Sequence, residues 1–168
     1  EPETMTSVSR NGKSLGEVMF KGNIVMKGYL RDKNANNVAF KDSWFHTGDL
    51  AVMHRDGYIE LKDRSKDIII SGGENISSIE IEKIILQHEQ VNDCAVIGIN
   101  DIKWGEVPCA FVEIKEKQIS EKNIIDYCKK YLAGYKLPKK IIFMPLPRTS
   151  TGKVQKFSLR KIARNIDG

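Results

Sequence analysis

At 168 residues the chain is long enough for one full core, or for one domain and a piece of another. Hydrophobic residues at 40% and charged residues at 29% describe a globular chain and exclude the disordered and fibrous classes. A net charge of +5 is mild; it fits a phosphate-bearing partner without requiring one. Cys94, Cys109 and Cys128 form no C-x-x-C pair and sit in apolar surroundings, so they read as small core residues of a reducing compartment. No apolar run approaches the roughly 18 residues of a membrane span. The opening EPETMTSVSR lacks the basic and apolar regions of a signal peptide, and Ile166-Asp167-Gly168 is not a peroxisomal signal. The expected location is the cytoplasm.

Residues 1 to about 60 read as strand and turn. Gly12, Gly16, Gly22 and Gly28 punctuate the short apolar runs Val18-Met19-Phe20 and Ile24-Val25-Met26. Asn34 to Asn37 reads as a loop or a brief polar helix. In His46-Thr47-Gly48-Asp49, Asp49 is expected just after a turn and before a strand. Its carboxylate can accept two hydrogen bonds from a vicinal diol, although turn capping is the plainer role for such a residue. Asp56-Gly57 makes another turn, and Tyr58 to Leu61 a strand. So little helix and so few long apolar runs predict the last strands of a larger body.

A charged run, Lys62 to Asp67, then leads into Ile68-Ile69-Ile70, three β-branched residues suited to a strand. Ser71-Gly72-Gly73 follows, a turn with two residues lacking a Cβ, able to take left-handed dihedrals or to let another chain lie against its backbone. Ser77 and Glu80 stand in the spacing of a capping box, and Ile81, Ile84 and Ile85 give the helix an apolar face.

Beyond this joint, strands and helices alternate. Cys94 to Ile99 is a continuous apolar run, as in a central strand. Ala110, Val112 and Ile114 alternate with Phe111, Glu113 and Lys115, a strand with two different faces. Ser120 caps a second helix presenting Ile124, Cys128, Tyr131 and Leu132. Ile141 to Phe143 is a short strand, and Phe157 to Arg164 a last helix with a basic outer face. The class is α+β: a small domain with a short sheet flanked by helices, preceded by β-rich strands from the end of a larger N-terminal domain.

Pro145 to Lys156, PLPRTSTGKVQK, leaves Lys153 on an exposed loop tip after two stiffening prolines and a run of small, hydroxyl and glycine residues. An ammonium on a flexible stem suits oxygens that gain negative charge during reaction, against the plainer reading of a solvated basic loop. The segment is no phosphate-cradling P-loop, because Val154 follows Gly152-Lys153 and Pro147 stands where such a loop needs glycine. His46, His54 and His88 lack metal-ligand spacing, so no metal site is expected. Lys156, Arg160, Lys161 and Arg164 read as one basic helix face.

Three segments together resemble the adenylate-forming enzymes, the superfamily of acyl-CoA synthetases, peptide-synthetase adenylation domains and luciferases. They are Gly16-Glu17…Met26-Lys27-Gly28-Tyr29-Leu30 with Thr47-Gly48-Asp49; Asp63-Arg64-Ser65-Lys66-Asp67 with Ser71-Gly72-Gly73-Glu74-Asn75; and PRTSTGKVQK. The resemblance covers nearly the whole chain. It implies residues 1–62 as the incomplete end of the large adenylation domain and residues 63–168 as the small mobile C-terminal lid, hinged near Lys66. It also implies that Lys153 is catalytic, that Asp49 binds the ribose hydroxyls of ATP, and that Arg64 contacts the nucleotide. Ser71, Gly72, Gly73 and Trp104 would wall the pantetheine tunnel, and the basic residues of the last helix could meet the phosphates of coenzyme A.

The implied activity is AMP-forming ligation of a carboxylic acid to coenzyme A. ATP, Mg2+ and coenzyme A would be bound largely by the large domain, and the partners are the acid and that domain, with no nucleic acid. Two rivals are a carrier-protein pantetheine as acceptor and a non-catalytic nucleotide- or nucleic-acid-binding module; the latter lacks aromatic interleaving among its basic residues. Departures from the family pattern are Asp63 for the usual glycine, Lys66 for the usual hinge aspartate, and Lys156 where arginine is usual. The family's Ser/Thr/Gly-rich phosphate loop and acyl pocket are not found in these residues, so the chain by itself is expected to be inactive.

Overall fold

The computed structural model describes residues 1–115 and 119–166, and Asp167 and Gly168 of the terminal tripeptide fall outside them. The chain divides into two compact units, Glu1–Lys66 and Asp67–Gly168. The expected division after residue 62 shifts by four residues. Asp63 and Arg64 complete a strand of the first unit, and Ser65 donates its N–H to the Gly48 carbonyl of that unit at 2.8 Å.

The first unit is an antiparallel sheet in the order β1 (Leu15–Phe20), β2 (Phe45–Met53), β3 (Ile59–Arg64). The Ile24-Val25-Met26 run forms no strand: Val25 closes a turn onto the Gly22 carbonyl and Ile24 is fully exposed. Asn34 to Asn37 lie in a short helix, α1 (Lys33–Ala39), which starts where the Asp32 carboxylate accepts the Ala35 N–H at 2.9 Å.

The second unit opens with a hairpin, β4 (Ile69–Ser71) and β5 (Glu74–Ile76), so the Gly72-Gly73 turn joins two strands before the helix begins. Helix α2 (Ser78–Ile85) starts at Ser77, whose hydroxyl accepts the Glu80 N–H. The Glu80 carboxylate reaches across to Lys136 instead, both oxygens lying within 2.8 Å of its ammonium. Strands β6 (Val91–Asp101) and β7 (Gly105–Ile114) pair along their length; β4 and the parallel β8 (Lys140–Phe143) border β7 on its other side. Helix α3 (Glu121–Cys128) has a full capping box between Ser120 and Asn123 and ends before Tyr131, which stays exposed while Leu132 is buried.

Strand periodicity divides the core into two. Cys94, Val96, Ala110 and Val112 face one way, onto Ile81 and Ile85 of α2 and Ile124 and Cys128 of α3. Ala95, Ile97, Cys109 and Phe111 face the other way, onto Leu146 and onto Leu159 and Ala163 of α4 (Lys156–Ile166). The sheet is thus covered on both faces, which is why Cys94 to Ile99 is apolar without interruption. Burial pushes the Cys128 thiol up to about 11 and raises Cys94 as well, so both are neutral packing groups.

Candidate functional site

The Asp49 site is built on β2, the central strand, between β1 and β3. Gly48 adopts φ 72°, a left-handed conformation, where the register of β2 against β1 shifts, so Asp49 lies inside a bulged strand and not ahead of it. Glu17 of β1 fixes this bulge with both carboxylate oxygens: one accepts the Gly48 N–H at 2.8 Å and the other meets His46 Nδ1 at 2.9 Å. Thr47 Oγ1 donates to the Val18 carbonyl at 2.7 Å and accepts the Asp49 N–H at 3.0 Å. Asp49 stands opposite Arg64 in the β2–β3 ladder, and Arg64 Nε forms an ion pair with Asp49 Oδ1 at 3.0 Å. Their side chains are 34% and 56% exposed, so the pair contributes little to stability and matters for where it places a carboxylate and a planar guanidinium. Such a pair can hold a diol through the first and an anion or ring face through the second.

In the second unit, Gly72 (φ 59°) and Gly73 (φ 87°) turn the β4–β5 hairpin in conformations that favour glycine. Gly72 N–H donates to the Trp104 carbonyl at 2.8 Å, and a Cβ on Gly72 would sit 2.9 Å from Trp104 Cε3. The indole therefore lies on bare backbone. It is half-exposed, with the Lys103 ammonium 4.7 Å from its ring centre. Ser71 pairs with Gly105 next to it, and the Glu106 carboxylate accepts the Ile70 N–H at 3.0 Å. Gly72 and Trp104 are thus one surface feature, with Ser71 buried beside it and Gly73 at its open end.

Lys153 sits on a hairpin closed by an isolated bridge between Arg148 and Val154. Thr149 N–H donates to the Lys153 carbonyl at 2.8 Å, Gly152 N–H to the Thr149 carbonyl at 2.9 Å, and Lys153 N–H to Thr149 Oγ1 at 3.1 Å. The Lys153 side chain is exposed. Arg148 Nη1 donates to the Gly152 carbonyl at 3.2 Å, while Nη2 donates to Asp93 of β6 and lies 3.5 Å from Glu113 of β7. The hydrogen bond to Asp93, with Glu113 beside it, holds the guanidinium above its ordinary pKa.

The basic helix face resolves into different roles. Lys156 is half-buried, its ammonium 2.7 Å from both the Ser78 hydroxyl and Glu82 Oε1, and Glu82 Oε1 also accepts the Val96 N–H. Arg160 donates to Asp67 at 2.6 Å, tying the first residue of the second unit to α4. Lys156 and Arg160 are therefore ties within the unit, and the Lys161 ammonium lies 5.6 Å from the Phe157 ring centre. Lys66, exposed, is the last residue of the first unit. His46 pairs with Glu17, His54 with Glu60, and His88 packs edge-on against Tyr127. The carboxylates Glu17, Glu82, Glu106 and Glu113 escape sequence reasoning as clamps. Each grips a backbone N–H far away in the chain, and local spacing carries no trace of that.

A family model described as the AMP-binding enzyme C-terminal domain matches residues 80–153. A peroxisomal trans-cinnamate:CoA ligase of Petunia hybrida is 53% identical over 98% of this chain and 29% of its own length. An acetate–CoA ligase of Humulus lupulus is 49% identical over 99% of this chain and 30% of its own. The ATP-bound MatB of Rhodopseudomonas palustris superposes with a TM-score of 0.89 at 36% identity, covering 99% of this chain and 33% of that one. The o-succinylbenzoate CoA synthetase of Bacillus subtilis, with its acyl-adenylate, gives 0.82 at 40%, covering 89% and 31%. The chain spans about a third of the length of the relatives it matches. It belongs to the adenylate-forming superfamily of acyl-CoA synthetases and AMP-dependent ligases, and carries the C-terminal domain of that family.

Proposed function

We propose that this chain supplies the nucleotide-contacting strands and the mobile lid of an AMP-forming acyl-CoA synthetase. The observation that carries the reading is the Asp49–Arg64 pair, in which two separate sequence motifs meet at 3.0 Å on adjacent strands. In the first step a substrate carboxylate oxygen attacks the α-phosphorus of ATP, the bond to pyrophosphate breaks, and an acyl-adenylate forms. Asp49 accepts the ribose hydroxyls and Arg64 contacts the nucleotide beside it. Lys153 neutralises charge on the carboxylate and α-phosphate oxygens.

In the second step the thiol sulfur of coenzyme A attacks the acyl carbon, loses its proton, and AMP leaves. Lys153 has then to withdraw, and rotation near Lys66 takes it away and brings up the Ser71-Gly72-Gly73 turn and Trp104 beside the pantetheine arm. Mg2+ would be held by ATP and the large domain and would offset the triphosphate charge there; among the described residues no group of three or more His, Cys, Asp or Glu is placed to hold a metal. The names of the relatives support coenzyme A over a carrier protein as acceptor. For the compartment we propose the cytoplasm, with the three buried free thiols fitting a reducing environment.

The test incubates the full-length enzyme with ATP and a panel of aromatic and short-chain acids, with and without coenzyme A. AMP and acyl thioester are expected in equal amounts, and only with both acid and coenzyme A present at steady state. The isolated 168-residue chain is expected to release no AMP. Formation of ADP, or thioester made by the chain alone, would overturn the reading.

A further inference from the structure

We propose that Arg148 is the positioning residue of Lys153, fixing the hairpin to the β6–β7 sheet so that the lysine moves with the lid as one rigid body. One guanidinium holds three groups: the Gly152 carbonyl, immediately before Lys153, and the carboxylates of Asp93 on β6 and Glu113 on β7. The second oxygen of Glu113 accepts the Leu146 N–H, so the same carboxylate also fixes the segment entering the loop. Gln155 N–H donates to the Pro147 carbonyl at 2.8 Å, closing the loop on its exit side.

The loop already has its own hydrogen bonds through Thr149 and Gly152, which suffice to make a hairpin. They do not determine where that hairpin points relative to the sheet. Arg148 supplies this through its planar fork, with Nη1 on the Gly152 carbonyl and Nη2 on both carboxylates, a spread of two fixed nitrogens that the single nitrogen of a lysine lacks. Immobilising so long a side chain costs entropy that a merely solvated loop has no use for. A point charge that must meet two oxygens during reaction does need it, because a misplacement of about 1 Å costs on the order of 10²-fold in rate. With Arg148 in place, the reach of the Lys153 ammonium is set by lid orientation, and the lysine enters and leaves with the whole domain.

The inference rests on the proposed ligase reading, and the experiment separates the two. In the full-length enzyme, adenylation is read by pyrophosphate release, and thioester formation separately from supplied acyl-adenylate and coenzyme A. Arg148→Ala is expected to lower the adenylation kcat about 10²-fold, leaving KM for ATP and the thioester step within about twofold. Arg148→Lys, which keeps the charge but not the two-nitrogen fork, is expected to lose about tenfold in adenylation alone, and it carries the test if the alanine variant does not fold. Equal loss of both half-reactions, or wild-type adenylation by Arg148→Lys, overturns the positioning role. Lys153→Ala in parallel tests the reading beneath it: undiminished adenylation by that variant removes the ligase assignment of Lys153, whatever Arg148 does.

Discussion

Lys153→Ala in the full-length enzyme is expected to lower the adenylation rate by about 10²–10³-fold, the loss seen when one preorganised charge-stabilising group is removed. The Lys153 backbone is bonded into the hairpin through Thr149, and its side chain is exposed. Truncation at Cβ therefore removes the ammonium with little disturbance of the fold. Because charge on the carboxylate and phosphate oxygens changes as the new bond forms, kcat and kcat/KM for adenylation should fall together. Thioester formation from supplied acyl-adenylate should stay within about twofold, since the lysine has withdrawn from the site by then. Stopped-flow pyrophosphate release and a separate thioester assay give both numbers. Equal loss in the two half-reactions contradicts the division of labour between lid orientations.

Phe111→Ala is expected to destabilise the second unit by about 3–5 kcal/mol. Phe111 is fully buried on the α4 side of β7, packed with Ile97, Leu146, Leu159 and Ala163. The loss combines transfer of a large apolar side chain with a cavity that β-sheet neighbours cannot close. Against a total of roughly 5–15 kcal/mol for a domain, this is a large share. Urea denaturation of the chain, followed by far-UV circular dichroism, measures it as a lowered midpoint at unchanged slope. A change below about 1 kcal/mol would mean that the two faces of the sheet are not both load-carrying cores. Since Leu146 leads into the Lys153 hairpin, the same cluster also supports the base of the proposed catalytic loop.

Much of this was legible in the sequence, for identifiable reasons. Ser120 and Ser77 announced helix starts because capping is a local event, and the β6 run was apolar throughout because helices cover both sheet faces. Asp49 and Lys153 stood out in the sequence because turn-forming glycines and hydroxyl residues flank them, whereas Arg64 was singled out only by the resemblance to the adenylate-forming family. What stayed hidden is non-local. The Ile24-Val25-Met26 run has strand composition but found no ladder, so its isoleucine is left in solvent. Asp49 looked like a residue ahead of a strand; the φ of Gly48 let the strand continue through a bulge, and Glu17 fastened it. Lys156 and Arg160 looked like neighbours on a solvated face, yet Glu82 and Asp67, each far off in the chain, draw them inward. Charge at helical spacing reports a face, and only the fold reports which of its charges find partners.

The measurement that bears most directly on the ligase reading is pyrophosphate–ATP exchange by the full-length enzyme in the absence of coenzyme A. Labelled pyrophosphate should enter ATP only when a suitable carboxylic acid is present, and Lys153→Ala should cut that exchange about 10²–10³-fold while thioester formation from supplied acyl-adenylate persists. Exchange that needs no acid, or that survives loss of Lys153 unchanged, would contradict it.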